Sequence, residues 1–287
     1  QHARNRKLLM FFVRHRYKNV SYVSWGGDFF KKNNIAQKIK ECLKIVMFSY
    51  YRSIVALNPI EFSYFKNILH QKIVFNIPYL ISSEQNVDLI NTLWNENSVN
   101  KFKITDRVKV YLGNNGSRIN TYFQLLDDLY HLKDKIEIHC MIHYCLTDNV
   151  LFDKLTNKAA EMYGDKCIFH MNTYSYKDYI KFMNHCDVYI CSHKDGQTGI
   201  GAILNCLFLG KKVFIAGVNY NYITSLGFLV EKSDNVKNYS IDQLIFESAK
   251  NRELNHKIAY GLRAGAEAEK ISQQWDNYYK YALNQYK

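Results

Sequence analysis

At 287 residues, the chain is long enough to bury a large core and exceeds the usual single domain. Its hydrophobic fraction of 47% contains no run of 18 apolar residues, which argues against a transmembrane helix. The net charge of +12 is concentrated: residues 1–44 hold eleven Lys and Arg against two acids, a net +9 that attracts polyanionic partners.

The chain opens on Gln1 without a signal-peptide pattern, and the expectation is that further N-terminal sequence precedes it. Aromatic residues such as Phe11, Phe12, Phe29 and Phe30 are interleaved with the cations of this stretch. That mixture suits a membrane–water interface, although a solvated basic surface would read the same way. Hydrophobic periodicity predicts a strand over 20–25 and an amphipathic helix over 35–48. Between them lies SWGGDFF, residues 24–30, where Asp28 is a lone acid among cations. It could serve as a general base, an N-cap or a salt-bridge partner. A strand follows over 53–57, and Pro59 opens a helix at its first position. Residues 84–105 are polar and poorly periodic and read as a linker.

Beyond the linker the pattern becomes cleaner. Strands are predicted over 107–112, 136–142, 168–171, 188–192 and 213–216, and helices over 121–132, 150–163, 177–184 and 200–209. From 241 onward the sequence reads as helices, the last rich in Tyr and carrying Trp275. This β-α repetition predicts an α/β fold with a parallel sheet covered on both faces, whose ligands bind where strands lead into helices. The seven cysteines form no C-x-x-C pair and lie mostly in apolar runs, so they read as buried free thiols of a reducing cytoplasm.

Two strand-to-helix loops carry the chemistry. In VYLGNNGSRIN, residues 110–120, Gly113 and Gly116 permit sharp turns and close approach to a ligand. Asn114, Asn115, Ser117 and Asn120 offer hydrogen-bond donors, and Arg118 can grip a phosphate with paired bonds. An ordinary capped turn is the plainer reading. In QTGIG, residues 197–201, Gly199 and Gly201 flank Ile200 where a helix begins. Free N–H groups and the positive helix end favour a diphosphate there, and Thr198 and Gln197 can donate to it. Close helix–sheet packing would also call for glycine. Neither loop has the spacing of a Walker loop or of the dinucleotide G-x-G-x-x-G.

WGGD, LGNNGSRIN, CDVYICSHKDGQTGIGAILNCLFLGKKVF and NYNYI occur in an order that resembles one enzyme group. The group is the TDP-N-acetylfucosamine:lipid II N-acetylfucosaminyltransferases of enterobacterial common antigen synthesis, glycosyltransferase family 56. Its members carry W-G-A-D-L-Y-like, G-N-S-G-D-R-S-N-like and Q-Q-G-I-G-T-L-C-L-L segments, and the resemblance spans residues 20–229. It implies a GT-B fold: two Rossmann-like domains facing a cleft, with the N-terminal domain incomplete here. The domain expectation is an acceptor- and membrane-facing domain over 1–100, a nucleotide-sugar domain over 106–250, and C-terminal helices over 251–287 that pack back on the first.

By the same resemblance, Gly113, Asn114, Gly116, Arg118, Asn120, Tyr144, Gln197, Thr198, Gly199, Ile200 and Gly201 would bind the donor diphosphate and nucleotide. Asn219 and Asn221 fall near an asparagine-containing stretch and would meet the sugar. Trp25, Gly26 and Asp28 match the acidic segment, with Asp28 as the base if transfer inverts the anomeric carbon. Ser117 stands where the family has an acid and Gly27 where it has alanine, which leaves the exact donor open. The implied activity moves a sugar from a nucleotide donor to a polyprenyl-diphosphate-linked glycan, at the cytoplasmic face of the inner membrane and by peripheral association with an anionic surface. A GT-B enzyme using a UDP-sugar for capsule or lipopolysaccharide is the alternative. No cofactor and no metal are expected: the chain has no D-x-D, and N–H groups, the helix dipole and Arg118 would stabilise the departing diphosphate. A nucleic-acid partner is disfavoured, because RNP-like and helix-turn-helix signals are missing from the pattern.

Overall fold

The computed structural model describes residues 20–24, 35–70, 72–78, 84–99, 107–113, 115–142, 146–194 and 197–284; at 35–41, 84–86 and 97–99 it describes the backbone alone. The chain divides into two compact units, residues 1–80 with 266–287, and residues 81–265.

In the first unit, β1 (Ser21–Val23), β2 (Ser53–Ala56) and β3 (Ile73–Asn76) form a parallel sheet in that order, Ser21 opposite Ser53 and Ser53 opposite Ile73. All four residues of the central strand are buried, as a strand covered on both faces requires. Parallel pairing needs crossovers, and helices α1 (Ile35–Tyr50) and α2 (Pro59–Ile68) supply them. Helix α2 begins where the sequence predicts: Asn58 Oδ1 accepts from the Glu61 N–H at 2.9 Å, and Pro59 follows it. Helix α1 buries Met47 and Phe48, and Phe48 meets Phe65 edge-on with ring centroids 5.3 Å apart. Its outward side leaves Leu43, Val46 and Tyr50 exposed. Strand β3 is too short and too exposed at Ile73 to stand out in the sequence.

The second unit opens with helix α3 (Glu84–Val99), where the sequence suggests a linker. Its apolar stripe is narrow: Val87 and Ile90 are buried, and Leu89 and Leu93 pack beside them. The six-stranded sheet that follows has β4 (Val108–Leu112), β5 (Ile136–Met141), β6 (Cys167–His170), β7 (Val188–Cys191), β8 (Lys212–Ile215) and β9 (Glu231–Lys232). All neighbours pair in parallel, in the order β6-β5-β4-β7-β8-β9. Numbered within the unit this is 3-2-1-4-5-6, the doubly wound order that reverses between its first and fourth strands.

Side chains alternate between the two faces with a period of two. Val108, Val110, Leu112, Ile138, Val188, Ile190 and Phe214 join one core, which α4 (Asn120–Leu129) and α5 (Asn149–Tyr163) cover. Tyr111, Tyr189, Cys191, Val213 and Ile215 join the other, under α6 (Tyr176–His185), α7 (Ile200–Phe208) and α10 (Ala249–Ala264). Helix α8 (Gly217–Ser225) and the short α9 (Ile241–Ile245) complete the unit. The last helix, α11 (Ala266–Asn284), belongs to the first unit: Tyr278 packs on Phe75 with centroids 5.2 Å apart, and the Trp275 indole donates to the Pro78 carbonyl at 3.0 Å. Among the described residues no helix is long and apolar enough to cross a membrane.

Candidate functional site

The order reversal between β4 and β7 places two loops side by side at the carboxyl edge of the sheet. The loop after β4 and the loop after β7 are the two glycine-bearing segments singled out in the sequence. They are tied together: the Asn115 side-chain amide donates to Thr198 Oγ1 at 3.1 Å, across 83 positions of sequence. Asn115 Oδ1 in turn accepts from the Ser117 N–H at 2.9 Å and caps the 3-10 turn Gly116–Arg118.

In the first loop the glycines fit the protein against itself. Gly113 has φ +61°, and a Cβ there would lie 2.1 Å from the Tyr122 hydroxyl. Its N–H donates to the Ile190 carbonyl at 2.9 Å, which links the loop to β7. A Cβ on Gly116 would lie 2.3 Å from the Ile142 carbonyl oxygen. Both glycines are thus required by packing, which is a different reason from the close ligand approach their sequence suggests. Arg118 is half-buried, and Thr121 Oγ1 donates to its carbonyl at 2.9 Å; Asn120 is exposed at the first position of α4.

In the second loop Gly199 has φ +71° and immediately precedes α7 without a side-chain cap. The first intrahelical bond there runs from the Ile203 N–H to the Gly199 carbonyl at 2.9 Å. The N–H groups of Ile200, Gly201 and Ala202 therefore have no acceptor within the helix. Gly201 faces open space, with nothing within 4 Å of where its Cβ would stand. Gln197, Thr198 and Ile200 are half-buried beside it.

Asn219 is fully buried, and both ends of its amide are engaged. It accepts from the Thr198 N–H at 3.3 Å and donates to the Thr198 carbonyl at 2.8 Å. The structure thus makes it a brace for the second loop. Asn221 is exposed on α8, and its carbonyl accepts from Thr224. Trp25, Gly26, Asp28, Asn114 and Tyr144 lie outside the described residues.

One residue the motifs pass over is His193, 2% exposed, whose Nδ1 lies 3.1 Å from Thr121 Oγ1. Burial, then the nearby Arg118 cation, push its ring down to about 4, so it is neutral at pH 7. The available signal was a polar residue two positions past an apolar strand at a ligand-binding edge. Among the described residues no group of three or more His, Cys, Asp or Glu could hold a metal ion. A cavity of about 370 Å³, lined by Asp187, Lys212, Asp242 and Arg252 among others, is formed partly by residues at the amino ends of β7 and β8, away from these loops.

No protein-family profile matches the chain, and no curated protein sequence matches it either. Solved structures do. A trehalose 6-phosphate synthase from Burkholderia multivorans superposes with a TM-score of 0.67 at 10% identity, over 97% of this chain and 70% of its own. The E. coli trehalose-6-phosphate structure bound with UDP-2-fluoro glucose gives 0.66 at 12% identity, over 96% and 71%. A sucrose-phosphate synthase from Thermosynechococcus elongatus gives 0.60 at 11% identity, over 88% and 65%. The chain spans 64% of a further trehalose-phosphate synthase, from Burkholderia vietnamiensis. At these identities the likeness is one of fold: the chain has the α/β, Rossmann-like fold of the GT-B glycosyltransferases.

Proposed function

We propose that this chain is a glycosyltransferase whose second unit holds a nucleoside-diphosphate sugar at the β4/β7 edge. The observation that carries the reading is the Asn115–Thr198 bond of 3.1 Å, which joins the two glycine loops at the point where strand order reverses. The open first turn of α7 offers N–H groups to the diphosphate, and Arg118 offers a cation. Thr198 adds a hydroxyl, and Asn219 holds that loop in place. In the reaction an acceptor hydroxyl oxygen bonds to the anomeric carbon while the bond to the diphosphate breaks. The nucleoside diphosphate leaves with the electron pair; if transfer inverts the anomeric carbon, Asp28 takes the acceptor proton, and if it retains it, the leaving phosphate takes it. The developing diphosphate charge falls on Arg118 and the α7 N–H groups, so activity should survive EDTA.

For the substrates, the sequence resemblance supports a TDP-linked N-acetylfucosamine-type donor and a polyprenyl-diphosphate-linked glycan acceptor. A UDP-sugar donor is the second reading, favoured by the structural neighbour bound with UDP-2-fluoro glucose. The acceptor's lipid fits peripheral docking of the first unit on the cytoplasmic face of the inner membrane. Leu43, Val46 and Tyr50 stand exposed at helical spacing on α1, in a chain segment with a net charge of +9. Thermal shift and hydrolysis assays with TDP-, UDP- and GDP-sugars test the donor. The largest effect with TDP supports the first reading, and the largest with UDP supports the second. No effect with any of the three overturns both.

A further inference from the structure

His193 joins the two loops by a hydrogen-bond chain whose direction can be worked out. Thr121 Oγ1 lies 2.9 Å from the Arg118 carbonyl oxygen and 3.1 Å from His193 Nδ1. A carbonyl oxygen only accepts, so Thr121 spends its single proton on Arg118. Thr121 must therefore accept from the histidine, which places the imidazole proton on Nδ1. The chain runs from His193 Nδ1–H to Thr121, and from the Thr121 hydroxyl to the Arg118 carbonyl.

The other ring nitrogen, Nε2, is then a bare acceptor. It is buried and has no hydrogen-bond partner among the described residues. An unpaired buried acceptor costs stability, so an apolar side chain of similar size would fold at least as well here. The polar ring at this position is therefore better explained by the site it serves than by the core it fills.

We propose that His193 is a positioning residue of the diphosphate site: through Thr121 it holds the turn that carries Arg118, and so sets where the guanidinium meets the phosphates. The proposal rests on the two loops being that site. It gives the second loop a role beyond its own N–H groups, because it would orient a cation belonging to the first.

The test is calorimetric titration of UDP and TDP into the wild-type chain and its variants, with thermal melts of each. His193→Leu and Thr121→Val should each lower nucleotide affinity about 3- to 10-fold, with the melting temperature of His193→Leu unchanged or raised. His193→Asn should recover most of the affinity, because its amide N–H replaces Nδ1–H. Adding His193→Leu to Arg118→Ala should cause no further loss, since the histidine acts through that arginine. Wild-type affinity in His193→Leu overturns the proposal, as does a full additional loss in the double variant. In either case the diphosphate reading stands if Arg118→Ala alone weakens binding. A wild-type chain that binds neither nucleotide overturns both.

Discussion

Two glycines at the start of α7 look equivalent in the sequence and differ in the structure. Gly199 adopts φ +71°, where any L side chain is strained, so Gly199→Ala mixes a folding cost with any binding cost. Gly201 is helical and faces open space, so Gly201→Ala should fold as well as the wild type or better, by up to about 1 kcal/mol. If phosphate oxygens sit against that first turn, the added methyl group should still weaken nucleotide binding; a full wild-type affinity would place the diphosphate elsewhere. A second residue-scale prediction concerns pH. With both rings neutral, Glu137 accepts from His139 Nε2–H at 2.8 Å, His139 Nδ1 accepts from His170 Nε2–H at 3.0 Å, and His170 Nδ1 accepts from the Tyr174 hydroxyl at 2.9 Å. Burial lowers His139 and, with His139 beside it, pushes His170 down to about 4, much as His193 is pushed. Above the ordinary imidazole value of 6.5, neither ring makes stability depend on pH. As pH falls from 6.5 towards 4, the unfolded chain takes up protons that the folded chain refuses, and stability falls. Melting temperature against pH should show that slope, and His193→Asn should make it shallower; an unchanged slope would mean His193 titrates normally. The loops were legible because glycines beside an apolar strand are conspicuous. The bonds that organise them were not, since Asn115 reaches Thr198 across 83 positions and Thr121 reaches His193 across 72.

At the scale of elements, each of the buried strands β4, β5, β7 and β8 announces itself by an apolar run, and caps such as Asn58 fix helix starts. Helix α3 was illegible because its polar surface hides a stripe of Val87 and Ile90, and β9 because it has two residues. Helix α8 carries Val, Asn, Tyr, Ile and Thr, weak helix formers that tertiary packing overrides. The close of α7 shows how such elements lock together. Gly210 has φ +71°, and a Cβ there would stand 2.1 Å from the Trp94 ring of α3. Trp94 in turn stacks on His256 of α10 with centroids 4.3 Å apart. Gly210→Ala should therefore cost about 2 kcal/mol or more, from backbone strain and overpacking together. Urea unfolding measures this, and a loss under 0.5 kcal/mol would show that the α3–α7 contact is loose (~0.5 being the usual range for neutral surface changes).

For the whole molecule, the two units divide the work in the proposed account: the second binds the donor, and the first meets the membrane that carries the acceptor. Vesicle sedimentation tests the first unit's part. Binding to anionic vesicles should weaken with salt, because each cation near such a surface contributes about 1 kcal/mol and salt screens it, and with Leu43→Ser/Val46→Ser, which removes exposed apolar side chains from the docking face. Equal binding to neutral vesicles would leave the basic segment as a solvated surface. The central claim, that the two loops hold a nucleoside diphosphate, is tested most directly by calorimetric titration of UDP and TDP into the wild type and Arg118→Ala, with EDTA present. The account predicts binding of at least one nucleotide without metal, and a loss of roughly 10- to 100-fold in the variant, the worth of a charge-assisted contact. Binding of the same strength in wild type and variant, or none at all, would contradict it.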